Sequence, residues 1–287
     1  MSFPNQPQVP SILNQGKYIR LNNIGGGKFG QVFRGQNVLN HRYVAIKVEP
    51  NTEVSILYHE VQMLQYLSQK KPAEIHLPSI KWYGVEGAFN FAVMDLYGPS
   101  LEQIAPTCRD NWSICQAYLF QILRILQYIH IKRIVHRDIK PANFLTIPGK
   151  GKIVLIDFGM SKIYWDFNSE QQHHITPTKT TQMIGTPKFM SLFVHECWEP
   201  LRRDDLISAV FTILSLWSDL PWDGAKNIQE VITLKRQWDS AVSAAMVAEE
   251  GGERPPQSSI KKPPTELIKK YSVWKNMGPS DDPLYLL

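Results

Sequence analysis

Cysteine is scarce in this 287-residue chain, which has three: Cys108, Cys115 and Cys197. An odd, scattered set makes neither a disulfide framework nor a metal-ligand spacing, and it suits incidental thiols in a reducing compartment. Long apolar runs are missing too. The longest, AVFTILSLW at 209–217, falls well short of the roughly 20 residues a bilayer demands and reads as a buried core helix. The N-terminus MSFPNQPQVP lacks a charged-then-apolar signal pattern. Ser2 stands where myristoylation would need glycine, and no cysteine near the C-terminus offers a prenylation site. No run of basic residues accompanies the mild net charge of +5, so nucleic-acid binding has no motif to rest on while anionic substrates stay compatible. These absences predict an intracellular protein, cytoplasmic and/or nuclear, with neither membrane nor nucleic acid as partner.

What is present is an ordinary globular composition, 43% hydrophobic and 20% charged, with length for one large domain or two lobes. Residues 1–16 are polar and rich in Pro, Asn and Gln, and read as a flexible leader. From Tyr18 to about Val48 short alternating runs separated by Gly and Asn predict strands. Leu57, Val61, Leu64 and Leu67 then recur at helical spacing, before SIKWYGVEGAFNFAVMDL returns to strand character. Beyond residue 100 the chain turns helical. Cys115, Leu119, Ile122, Leu126 and Ile129 line one stripe of a long helix over 112–131. Pro141 stops helix and marks a loop, and the aperiodic segments 165–182 and 248–264 read as loops. No internal repeat is present.

Each chemical motif is weak alone. Gly25, Gly27 and Gly30 form G-x-G-x-x-G, but the following QVFRG is strand-like, so these glycines sit on a hairpin and not at a helix start. Without Cβ atoms such a hairpin can lie close over phosphates, although a plain glycine turn would look the same. Lys47, alone among Val44, Ala45, Ile46 and Val48, needs an anionic partner if half-buried, or else snorkels at a sheet edge. Glu60 on the downstream helix is the candidate partner. In HRDIKPAN, Asp138 can orient a hydroxyl and accept its proton, and Lys140 can neutralise charge on a phosphoryl group. Asn143 and Asp157 of DFG supply oxygen ligands suited to Mg²⁺.

Together, in this order, these elements resemble the signature set of protein kinases: glycine-rich loop, V-A-I-K, helix glutamate, H-R-D-x-x-x-x-N and D-F-G. The resemblance implies an α+β, two-lobed kinase fold, with a β-rich N-lobe carrying one helix over 17–94, a hinge at 95–98 and a mostly helical C-lobe over 99–287. It implies ATP and Mg²⁺ as cofactors, Asp138 as catalytic base, Lys140 beside it, and Lys47 paired with Glu60 on the phosphates. Asn143 and Asp157 would hold the metal. Ile24, Gly25, Gly27, Phe29, Gly30, Val32, Ala45, Met94, Asp95 and Tyr97 would contact the nucleotide, with Met94 as gatekeeper. Lys140 two residues after Asp138 is the serine/threonine pattern, so the expected partners are proteins with Ser or Thr acceptors.

Where most kinases carry Ala-Pro-Glu, this chain reads GTPKFMSLFVHECWEPLRRDDL. That segment, with GPSLEQ, KPANFL, SDLPWDG and KRQ, is similar to the casein kinase I family over about 17–240. The likeness implies acidic or primed substrates, read at an anion site for which Lys188 and Lys235 are the candidates, while Thr181 replaces a third basic residue. It implies Asp205 as the helix aspartate that braces the catalytic loop. Arg137 could receive a phosphate on Thr176, Thr178, Thr180 or Thr181, an event the family generally does not need. The departure from the family after residue 240 predicts a near-minimal catalytic domain, expected to be a monomer. The alternative is a catalytically weak pseudokinase scaffold, although Lys47, Asp138, Asn143 and Asp157 are all present.

Overall fold

The computed structural model describes residues 8–27, 30–167, 174–250 and 263–285. They form two compact units. One runs to Gly98 and takes back Thr146–Gly159, and the other comprises Pro99–Leu145 and Met160 onward. The break after Gly98 falls at the end of the expected hinge, whereas the return of 146–159 to the first unit was not read from the sequence.

The first unit is built on a six-stranded sheet in the order β1-β2-β3-β4-β6-β5. Its strands are β1 (Ile12–Leu13), β2 (Tyr18–Gly27), β3 (Gly30–Asn37), β4 (Tyr43–Pro50), β5 (Ile80–Glu86) and β6 (Phe89–Asp95), and every pairing is antiparallel. Alternation sets the two faces. Phe33, Val44, Ile46, Val48, Phe91 and Val93 gather with Leu13 and Tyr18 in one apolar cluster. On the other face Ala92 and Met94 pack against Leu57 and Val61 of helix α1 (Ile56–Ser68). Ser55 caps α1 by accepting from the Tyr58 amide at 2.9 Å. The expected loose leader is corrected here. Leu13 is fully buried, and Arg20 donates to the carbonyls of Val9 and Pro10, both at 2.9 Å, so the chain is anchored from Val9 onward.

The second unit is helical: α2 (Leu101–Cys108), α3 (Trp112–Ile131), α4 (Leu192–His195), α5 (Arg202–Trp217), α6 (Ile228–Glu250) and α7 (Thr265–Lys275). The apolar stripe of α3 buries Cys115, Leu119, Ile122, Leu126 and Ile129, and α5 is buried nearly all round. Short strands β7 (Ile134–Val135) and β10 (Lys162–Ile163) pair across the loop that carries HRD. A last ladder joins β8 (Phe144–Ile147) to β9 (Lys152–Leu155). Helix α7, which buries Trp274, was hidden in the sequence by the Gly/Pro-rich segment before it. Of the two expected loops, 168–173 and 251–262 lie outside the described residues.

Candidate active site

In the first unit, cross-strand register places Val32 opposite Lys47 and Lys47 opposite Ala92, with Ala45 opposite Met94. Directly paired residues share a face, so Val32, Ala45, Lys47 and Met94 project away from the main apolar cluster. Gly30 closes the hairpin of β2 and β3 at φ +143°, and a Cβ there would sit 2.2 Å from the Val48 carbonyl oxygen, so no other residue fits. A Cβ at Gly25 or Gly27 would meet nothing within 4 Å, so both positions face open space. Ile24 is exposed beside them. Phe29 lies outside the described residues.

Lys47 Nζ meets Glu60 Oε2 at 2.6 Å and Asp157 Oδ1 at 2.8 Å. Burial alone would lower the lysine's pKa, but the two carboxylates hold it above the usual lysine range. Burial likewise pushes the Glu60 carboxyl up, against Lys47 and the Phe158 N–H, which donates to Glu60 Oε1 at 3.2 Å. Asp157 follows β9 at φ +66°, an uncommon conformation for a side chain-bearing residue. At the end of the sheet, Asp95 pairs with Lys81 at 3.0 Å, burial raises the Tyr97 hydroxyl, and the Gly98 N–H donates to the Thr146 carbonyl at 2.8 Å.

In the second unit the HRD loop leaves β7 with Arg137 at φ +72°. Asp205 holds it there. Its Oδ2 accepts the His136 N–H at 2.8 Å and its Oδ1 the Arg137 N–H at 2.9 Å. Asp138 is gripped on both oxygens, by Lys140 Nζ at 2.7 Å and by the Thr186 hydroxyl at 2.7 Å, and Lys140 also donates to Thr186 at 2.9 Å. Asn143 donates its amide hydrogen to the Asp138 carbonyl at 2.8 Å. Gly185, at φ +109°, lets Thr186 reach this position, since a Cβ there would lie 2.6 Å from the Arg137 carbonyl oxygen. A carboxylate fixed between an ammonium and a hydroxyl can orient an incoming alcohol and take its proton.

Comparison with models of known families matches residues 18–273 to the protein kinase domain. The chain belongs to the protein kinase family. Membership implies a phosphotransferase that uses ATP and acts on protein substrates.

Within this kinase domain the expected anion site needs correction. Lys235 on α6 is 1% exposed, and its Nζ donates to the carbonyls of Pro187 at 2.7 Å and Met190 at 2.6 Å, with His195 Nε2 at 3.2 Å. Among the described residues no carboxylate offsets its burial, which pushes the lysine down to about 6. Such a side chain holds the backbone after Thr186 and is turned away from solvent. Lys188 is half-exposed but paired with Asp223 at 2.6 Å.

Arg137 also departs from expectation. Its guanidinium faces Glu199 Oε1 at 3.7 Å, and Lys162 bonds the same oxygen. Thr178 and Thr180 are tied by backbone hydrogen bonds to Glu199 and Cys197 at 3.0 and 2.8 Å. Sequence reasoning missed Thr186, Glu199 and Asp223. Thr186 had a signal, the Gly-Thr of the GTPKFMS segment, whereas Glu199 and Asp223 are ordinary surface-type acids until the fold brings lysine or arginine beside them.

Proposed function

We propose that the protein is a serine/threonine kinase of casein kinase I type, transferring the γ-phosphate of ATP to a Ser or Thr hydroxyl of a protein. The observation that carries this reading is the grip of Lys140 and Thr186 on Asp138. In the transfer the acceptor oxygen forms a bond to the γ-phosphorus, the bond to ADP breaks, and the acceptor's proton passes to Asp138. Lys140 offsets charge on the moving phosphoryl group, and Lys47, kept cationic by Glu60 and Asp157, serves the remaining phosphates.

Each unit offers an oxygen of the kind Mg²⁺ takes. Asn143 spends its nitrogen on the Asp138 carbonyl, so its hard amide oxygen is the atom left for a cation, and Asp157 adds a partly exposed carboxylate. Among the described residues no group of three or more acidic, His or Cys side chains could cage a metal unaided. That suits Mg²⁺, which takes one or two protein oxygens and shares the phosphates. Held by such oxygens, Mg²⁺ would neutralise charge on the phosphate oxygens.

The paired Lys188 and inward Lys235 support only a weak preference for acidic or primed sites. The test is ATP–Mg²⁺-dependent transfer to casein and to matched peptides with and without a phosphoserine three residues before the acceptor. Asp138→Asn should lower turnover by about 10²–10⁴-fold while nucleotide still binds. Full activity in that variant would remove Asp138 from the role of base. Bound nucleotide with no transfer by the wild type would favour the scaffold reading.

A further inference from the structure

The RRDD run that opens α5 faces two ways. Asp205 holds the catalytic loop, while Arg202 and Arg203 grip the segment 277–285. Arg202 donates to Asp282 at 2.8 Å and to the Asp281 carbonyl at 2.9 Å, and Arg203 donates to the Met277 carbonyl at 2.7 Å. Trp274 of α7 adds a bond from its indole N–H to the Leu284 carbonyl at 3.1 Å. These ties deliver Tyr285 to His130 near the end of α3, hydroxyl to Nδ1 at 2.6 Å. The other ring nitrogen of His130 lies 3.0 Å from Asp205 Oδ2, the oxygen that also takes the His136 N–H.

The protons on this chain can be assigned. His130 is 2% exposed, and burial pushes its imidazole below the usual range, so the ring is neutral and carries one N–H. Asp205 can only accept, which places that hydrogen on Nε2. Nδ1 is then a buried lone pair in need of a donor, and the Tyr285 hydroxyl supplies it. Burial keeps that hydroxyl protonated by raising its pKa. The His130 carbonyl is occupied separately, by the Tyr164 hydroxyl at 2.6 Å.

We propose that Tyr285 is a positioning residue for the catalytic loop, acting through His130 and Asp205 on the N–H groups of His136 and Arg137 immediately before Asp138. The segment from Met277 to Tyr285 thereby forms part of the catalytic apparatus without touching substrate. The catalytic half of this proposal rests on Asp138 being the base, whereas the structural half does not.

Tyr285→Phe in the full chain removes one hydroxyl and little else. Loss of one net hydrogen bond should speed amide exchange at His136 and Arg137 by roughly two- to tenfold, with other amides of α3 and α5 unchanged. The ¹⁵N resonance of His130 Nδ1, assigned by its loss in His130→Gln, should move toward that of an unbonded imidazole nitrogen. The kcat should fall by a similar factor at unchanged KM for ATP. Unchanged exchange at both amides would overturn the proposal. So would a uniform rise across α3 and α5, which would mark Tyr285 as general packing. Absence of any transfer by the wild type would sink the kinase reading, and the exchange and nitrogen signals would still decide the brace.

Discussion

Lys47, largely buried, and Lys235, fully buried, are each within hydrogen-bond distance of three or fewer partners, and their environments drive them in opposite directions. Lys47 meets two carboxylates, which overcome desolvation and fix it as a cation. Lys235 meets two carbonyls and a histidine that burial has itself pushed down to about 4, so desolvation wins. A neutral amine still has two N–H donors for the Pro187 and Met190 carbonyls and a lone pair for a His195 N–H. One site therefore maintains a charge, and the other uses the same residue type as a backbone clamp. The partners decide the role, and burial alone does not.

The largest effect should come from breaking the charged member. Lys47→Met should lower phosphate transfer by about 100-fold or more. It should also cost about 3–5 kcal/mol of stability, because Glu60 is left buried and unpaired. Adding Glu60→Gln, which keeps an acceptor for the Phe158 N–H, should restore most of the stability and none of the activity. Recovery of both in the double variant would mean that the charge of Lys47 serves only the fold.

Lys235→Met is the matching change on the neutral side. It strands two carbonyls, for a loss of about 1–3 kcal/mol, and should reduce kcat by less than tenfold. Its pH signature sharpens the contrast. Above about 6 the folded chain leaves Lys235 unprotonated, whereas the unfolded chain keeps it protonated up to the ordinary 10.5. The unfolded state therefore binds more protons in that window, and stability rises with pH across it. Urea midpoints measured from about pH 6 to about pH 9 should climb more steeply in the wild type than in Lys235→Met, and parallel curves would place a charged ammonium in the clamp. The smallest effect concerns substrate choice. Asp223→Asn releases Lys188 and should raise the primed-to-unprimed ratio of kcat/KM by about two- to fivefold, as for an exposed ion pair. An unchanged ratio would take Lys188 out of phosphate reading.

Local pattern made much of this legible. The strands from Tyr18 to Asp95, helix α1 and the stripe of α3 follow period alone, and the kinase motifs carry their spacing in the chain. The Lys47–Glu60 contact was anticipated because a strand lysine among apolar neighbours needs an anion close by. Lys235 was misread because the casein kinase I-like pattern put it at a basic position expected to face an anion, and only the packing of α6 under Pro187 and Met190 turns it inward. Tyr285 was invisible for a similar reason. Its partner His130 lies 155 positions away in sequence, and nothing in DDPLYLL announces a histidine.

Glu199 has a consequence of another kind. The Arg137 guanidinium and the Lys162 ammonium already share its carboxylate, and the segment bearing Thr178 and Thr180 is already tied to the same strand of chain. A phosphate at such a place is a message: one enzyme writes it, a second erases it, and the protein between them remembers for a while. A carboxylate carried by the chain needs no second enzyme to place it, so the pairing of Arg137 and Lys162 with Glu199 arrives with the fold itself.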